Sequence, residues 1–353
     1  MKGGRLDGAS TSSLRKCAAT SASRPVAVSQ IDVTPMANDR GGKPIDLSQV
    51  TTYSIRERAS KFDPSQMARV PDVHKPLEQF FECLPKTLKA RDFLEIAEHI
   101  VVAAAGGRKV VWMMGAHLIK CGLSPLLVKL MEQKIVHCVA MNGAGAIHDF
   151  ELACFGHTSE DVEKGLKDGS FGMAKETGEW MNELINDGVR RGFGIGYSLG
   201  RGILDRRARH DEYSILANAV GLRVPVTVHV ALGTDIIHQH PSADGAMIGK
   251  GSMKDFQIFA GQLPGIDQGG VVVNFGSAVI MPEVFLKALT IARNLGHSVR
   301  NFVAADFDMI QHYRPQANVL DRPTKEGGKA YSITGHHEIM LPLLYAAIQR
   351  LLR

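Results

Sequence analysis

The chain has 353 residues, 44% hydrophobic and 22% charged, enough apolar material for one large core or two moderate ones. No run of about eighteen uncharged apolar residues occurs, which excludes a membrane-spanning helix. Much of the net charge of +5 arises in the first 25 residues and in Arg201–Arg209, with few aromatics beside it, so no nucleic-acid surface is expected.

The five cysteines, Cys17, Cys83, Cys121, Cys138 and Cys154, show no Cys-x-x-Cys spacing and sit mostly among apolar neighbours. That is the usage of reduced thiols, and a cytoplasmic setting is expected. Residues 1–45 open on a Ser-, Ala- and Arg-rich stretch with no apolar h-region, and read as a disordered tail, with a transit-like peptide or an over-long start as the alternatives, rather than a secretory signal. Residues 46–75 mix proline, serine and charge without periodicity and read as an extended arm.

From residue 76 to 353 the pattern is that of one α/β domain. Apolar positions at helical spacing predict two helices in Pro76–Ala105, on either side of Lys86–Arg91. Short apolar runs then alternate with helical segments: a strand at Lys109–Met114, a helix over Ser124–Gln133, a strand at Ile135–Met141 and a helix from about Ala146. The glycine-rich Gly156–Gly202 reads as an excursion over the sheet's edge or top, with a helix-like Met173–Asn186. A helix at Asp211–Val220, a strand at Val224–Val230 and a helix near Ser252–Leu263 follow. The last strands are predicted at Gly270–Phe275 and Val299–Ala305, separated by a helix over Pro282–Asn294, and a helix over Ile339–Leu352 closes the chain. Runs that are apolar throughout belong to strands covered on both faces, so the expected fold is a doubly wound, mainly parallel Rossmann-like sheet.

Ligands of such sheets bind at the carboxyl ends of the strands, where loops and helix N-termini present free N–H groups. Small residues follow three of the strands: Gly115-Ala116-His117, Asn142-Gly143-Ala144-Gly145 and Gly276-Ser277-Ala278. Three such loops in equivalent places point to a nucleotide cofactor, since small side chains let phosphate and ribose approach the backbone. Gly245–Ser252 has only three residues where a P-loop has four and is set aside. The third strand runs into Gly233-Thr234-Asp235, followed by His238, His240 and Asp244, a cluster able to act as acid and base or to hold a cationic amine. The neighbouring Pro241 argues for a loop over a paired metal site, and no metal is expected. Asp306 and Asp308 close the fifth strand, and His336, His337 and Glu338 precede the last helix.

The segments GAHLI (115–119), MNGAGAIHDFELAC (141–154), DEYSILA (211–217), PVTVHVALGTD (225–235), GSAV (276–279) and LPLLYA (341–346) resemble deoxyhypusine synthase in order and spacing. The resemblance covers residues from about 108 to the C-terminus. It implies a Rossmann-like fold, bound NAD, a homotetramer and transfer of an aminobutyl group from spermidine to a protein lysine or a diamine. The resemblance implies that Ala116, His117, Asn142, Gly143, Ala144, Gly145, Thr234, Ala304 and Ala305 contact the cofactor and that Asp149 takes a ribose hydroxyl, while Gly115, Gly276 and Ser277 are cofactor candidates from the small-residue strand ends. Asp235, Asp244, Asp306 and Asp308 are acidic positions suited to a polyamine, and Asp235 is also a catalytic candidate. The family's lysine lies in Trp-Gly-Lys, and the comparable residue here is Lys329 in Gly327-Gly328-Lys329, without the tryptophan. The base histidine expected after the fourth loop is absent, with His336 or His337 as the candidates to replace it. The alternatives are different chemistry on the same NAD-binding scaffold, or a cofactor-binding oligomer without catalysis.

Overall fold

Five short, largely apolar runs and one more polar edge segment form the strands β1 (Val110–Met114), β2 (Cys138–Asn142), β3 (Val226–His229), β4 (Val271–Phe275), β5 (Val303–Asp308) and, at the edge, β6 (Lys329–Thr334). The computed structural model describes Arg69 and residues 77–352. The expected tail over 1–45 and, Arg69 apart, the expected arm over 46–75 lie outside the described residues. All five neighbouring pairs are parallel, in the order β3-β2-β1-β4-β5-β6, the doubly wound arrangement the sequence pattern predicts.

The helices before β2 are α1 (Leu77–Cys83), α2 (Leu88–Ala105), α3 (His117–Lys120) and α4 (Ser124–Glu132). Between β2 and β3 lie α5 (Gly143–Phe155), α6 (Val162–Asp168), α7 (Lys175–Arg190), α8 (Ile195–Asp205) and α9 (Ile215–Gly221). Beyond β3 come α10 (Gly245–Ala260), α11 (Ile280–Asn294), the short α12 (Tyr313–Pro315) and α13 (Arg322–Thr324), and α14 (His337–Leu351). Among the described residues no helix is long and apolar enough to cross a membrane.

Side chains alternate between two cores, as the pleat requires. Val110, Trp112 and Met114 of β1 enter the larger core with residues of α2, α4, α5, α9 and α14, while Val111 and Met113 enter a second core with α10 and α11. Trp112, Phe275 and Phe307 stack across three adjacent strands, with centroids 5.6 and 5.2 Å apart. Such pairs add about 0.5–1.5 kcal/mol each beyond their burial.

Asp255 of α10 ties the sheet edge together from a fully buried position. Its Oδ2 accepts N–H groups from Gly196 of α8 and Val228 of β3, each at 2.9 Å. Burial pushes this carboxyl from 3.8 up to about 7. A raised folded-state pKa makes its contribution fully present below the unfolded value and lost as pH rises through the folded one. The thermal stability of Asp255→Asn relative to wild type should therefore improve by a few degrees, roughly, between about pH 5 and pH 8. A pH-independent difference in Tm would contradict this.

Candidate functional site

Connections leave β1 and β4 in opposite directions, which makes their carboxyl ends the switch point, the crevice in which ligands of such sheets bind. Gly115 and Gly276 meet there so closely that a Cβ on Gly115 would stand 2.3 Å from the Gly276 carbonyl oxygen. Gly276 has φ +69°, and a Cβ on it would lie 2.6 Å from Nε2 of His337. The imidazole that chain order lacks after β4 thus lies over that same loop, delivered by the first residue of α14. Its ring packs on Phe275 at 5.2 Å and on His117 at 5.6 Å. His337 is 2% exposed, and neither ring nitrogen has a hydrogen-bond partner. Asp308 Oδ1 stands 3.9 Å from Nε2 and accepts the Met309 N–H, while Oδ2 is 4.0 Å from His312. Burial holds the His337 pKa below its ordinary value, with Asp308 opposing in part. At neutral pH the ring is a neutral imidazole with a lone pair to offer.

The second loop begins α5. Asn142 caps the helix, its Oδ1 accepting the Gly145 N–H at 2.9 Å, and Gly156 at φ +76° ends it. Gly143 is required by its neighbour, since a Cβ there would be 1.9 Å from Asp235 Oδ2. Asp235 is 7% exposed, with Oδ2 unpartnered, and burial pushes its carboxyl up to about 6.

Asp235 and Thr234 form part of the wall of a cavity of about 640 Å³. One helical face of α5, Ala144, Ile147, His148, Glu151 and Phe155, supplies another wall, and residues 157–177 a third. The apolar lining includes Ile147, Phe155, Phe171 and Ile236, while four carboxylates (Glu151, Glu160, Glu176 and Asp235) face a single lysine, Lys120. Thr177 donates to Glu151 Oε1 at 2.9 Å, and Thr158 donates to Oε2. Because the Thr158 hydroxyl is committed as a donor, His148 Nδ1, 2.6 Å away, carries the proton of that ring and leaves Nε2 as an acceptor. Burial lowers the His148 pKa. Lys120 of the cavity wall and His117, whose ring packs on His337, lie one turn apart on α3, so crevice and cavity are neighbouring parts of one edge. The size suits a small organic ligand.

Several expectations need correction. Lys329 pairs with Val303 at the amino end of β6 and is exposed, about 16 Å of strand from the carboxyl edge at about 3.3 Å per residue. Asp149 is 1% exposed and accepts from Ser214 Oγ and from the N–H groups of Ile215 and Leu216, so it anchors α9 and leaves no accessible oxygen for a ribose. Asp244 caps α10 through Ala246 and Met247. Ala304 and Ala305 are interior residues of β5, fully buried between β4 and β6. Asp306 is likewise inside the sheet, bonded to Asn274 Nδ2 at 2.7 Å, and burial pushes it up to about 6. Asp308 alone of that pair reaches the crevice. Ser277 accepts the Met281 N–H and starts α11, Ala116 precedes α3, and the Thr234 hydroxyl turns back to the Ala231 carbonyl. His336 is exposed, 3.8 Å from Glu338. His238 and His240 diverge, His240 contacting the Gly172 carbonyl. Among the described residues no cluster of three ligating side chains could hold a metal.

The reason for the glycines also changes. Gly115, Gly143 and Gly276 are small because the protein's own atoms fill the space where a Cβ would stand. What fits a polar cofactor is different: the nitrogens of His337, Asp235 Oδ2 and Asn274 Oδ1 are buried at this edge without partners. Native proteins seldom leave such atoms unsatisfied, so they suit a polar ligand. Glu151, His148, Thr177 and Lys120 were not legible as site residues, although the spacing of His148 and Glu151 on α5 places both on one face just beyond the Asn142–Gly145 loop.

No protein-family profile matches the chain, and no curated protein matches it. Among solved structures, ArgZ, an arginine dihydrolase from the ornithine-ammonia cycle in cyanobacteria, is similar over 74% of this chain and 33% of its own, at 19% identity and a TM-score of 0.48. AgrE, in a ternary complex with ornithine and NAD+, is similar over 76% of this chain and 34% of its own, at 16% identity and a TM-score of 0.47. A protein described as a deoxyhypusine synthase from Entamoeba histolytica is similar over 78% of this chain and 93% of its own, at 12% identity and a TM-score of 0.48. The chain spans about a third of the length of ArgZ and AgrE. At these identities the likeness is one of fold.

Proposed function

We propose that this protein is an NAD-dependent enzyme that oxidises a cationic amine of the polyamine kind, with His337 as the proton acceptor. One observation carries the reading: a cavity that sets four carboxylates against one lysine over apolar walls lies beside a neutral, unpartnered imidazole at the switch point. An ammonium group is held by the carboxylates and a methylene chain by Ile147, Phe155 and Phe171. Bound NAD supplies a hydride acceptor for the carbon next to the amine nitrogen. His337 takes the proton that leaves the nitrogen as its lone pair forms the C=N bond, and Asp308 steadies the imidazolium. The residues that would hold the cofactor are those at the ends of β1 and β4, where Asn274 Oδ1 and the nitrogens of His337 are buried without partners. Mixing the protein with NAD and spermidine, and reading the NADH absorbance band, tests this. Reduction is expected with spermidine and none with a neutral diol of similar length.

The position of Lys329 favours oxidation without transfer through that lysine. Lys329→Ala should therefore keep NADH formation within about twofold of wild type, as exposed substitutions remote from the chemistry do. Loss of turnover would put Lys329 in the reaction and remove the basis for this choice. Transfer of an aminobutyl group through a lysine adduct would fall instead to Lys120, the lysine of the cavity wall. Self-association, as the homotetramer the resemblance implies, is supported by exposed Leu232, Val279, Ile310, Tyr313 and Ile339 in and after the carboxyl-edge loops.

A further inference from the structure

The loop after β3 fixes the protonation of one imidazole. His238 Nδ1 accepts the backbone N–H groups of Gly233 at 3.1 Å and of Asp235 at 3.3 Å. A ring nitrogen that accepts carries no proton, so the neutral ring bears its proton on Nε2. Protonating Nδ1 would set three N–H groups against one another, which keeps the ring neutral. Nε2 is buried without a partner, 4.0 Å from Asp235 Oδ2, which is also buried without a partner. A donor and an acceptor thus face one another about an ångström beyond hydrogen-bond length. Gly143 closes the other side of the carboxyl, where even a Cβ would be 1.9 Å from Oδ2.

We propose that His238 is a positioning residue, which donates from Nε2 to Asp235 Oδ2 whenever that carboxyl is ionised, the state in which it holds an ammonium group in the cavity. The inference rests on the reading of Asp235 as the anchor of the amine. A neutral donor suits the task because it steadies the carboxylate without placing a cation beside it to compete with the substrate. The other ionisable groups lining the cavity are Lys120, His148, Glu151, His157, Glu160 and Glu176, and His240 of the same loop is held by the Gly172 carbonyl.

Two variants separate the roles of the ring. His238→Asn keeps an acceptor near the position of Nδ1 and loses the donor, whereas His238→Gln carries an N–H donor near the position of Nε2. The readout is the carboxyl titration of Asp235 by carbon NMR in ligand-free protein, assigned with Asp235→Asn, alongside nitrogen NMR of the imidazoles. In His238→Asn the midpoint should rise by about one pH unit, a tenfold loss of ionisation, and in His238→Gln it should stay near wild type. The wild-type ring should show the Nε2–H tautomer and titrate below the ordinary imidazole value. A wild-type midpoint in His238→Asn, or a proton on Nδ1, would overturn the proposal. If spermidine leaves the Asp235 resonance unmoved while His238→Asn still shifts the ligand-free midpoint, the hold of His238 on Asp235 stands and the amine reading fails.

Discussion

His337→Asn is expected to lower NADH formation from spermidine by about 10²–10⁴-fold, the usual worth of a positioned proton acceptor. The residue is 2% exposed, yet neither nitrogen has a partner at hydrogen-bond geometry, with the Phe307 carbonyl and Asp308 close by. A structural histidine at that burial would ordinarily have its polar atoms satisfied. Because burial holds its pKa below 6.5, the acid limb of the wild-type rate at saturating spermidine should lie below that value and vanish in the variant. Stability separates this from simple misfolding. A depressed histidine pKa contributes stability present above the unfolded value and lost as pH falls below it, so the variant should gain on wild type in Tm below about pH 6.5. Turnover unchanged by the substitution would remove His337 from the chemistry.

Asp235→Asn carries the next largest effect, a loss of spermidine affinity of about 10–100-fold, from the roughly 1.5–3 kcal/mol of a hydrogen bond to a charged group. The amide matches the carboxyl in size, so it fits against Gly143 and the defect is one of charge. Wild-type affinity should fall as pH drops through about 6, where the buried carboxyl takes up its proton, and the variant should be flat there. Calorimetric titration of both proteins across that range checks the two statements together. Equal affinities for spermidine would place the amine elsewhere.

The central strands were legible because residues buried on both faces leave apolar runs such as Val271–Val273. β6 was not, since Lys329, Ala330 and Thr334 are exposed and its pattern is that of a partly covered edge. The fifth strand begins at Val303 rather than Val299, because Val299 and Asn301 take positive φ and the carbonyls of Arg300 and Asn301 bond to Gln268 and Gly269, which puts Ala304 and Ala305 inside the sheet and carries Asp308 to its end. The sequence marks Asp149 as a carboxylate close behind the Asn142–Gly145 loop, but its role as a buried anchor for α9 depends on Ser214, 65 residues away. His337 was visible as a candidate, yet its place over Gly276 follows from β6 carrying the chain back to the edge where β4 ends. His148 and Glu151 look like the solvated side of a helix until residues 157–177 fold over them.

A crystal structure of the protein soaked with NAD and spermidine measures the central claim most directly. The expected result is an amine nitrogen within hydrogen-bond reach of Asp235, with the adjacent carbon beside the nicotinamide and His337 turned towards the reacting nitrogen. An amine bound outside the Asp235–Glu151 cavity, or a crevice that excludes NAD, would contradict it.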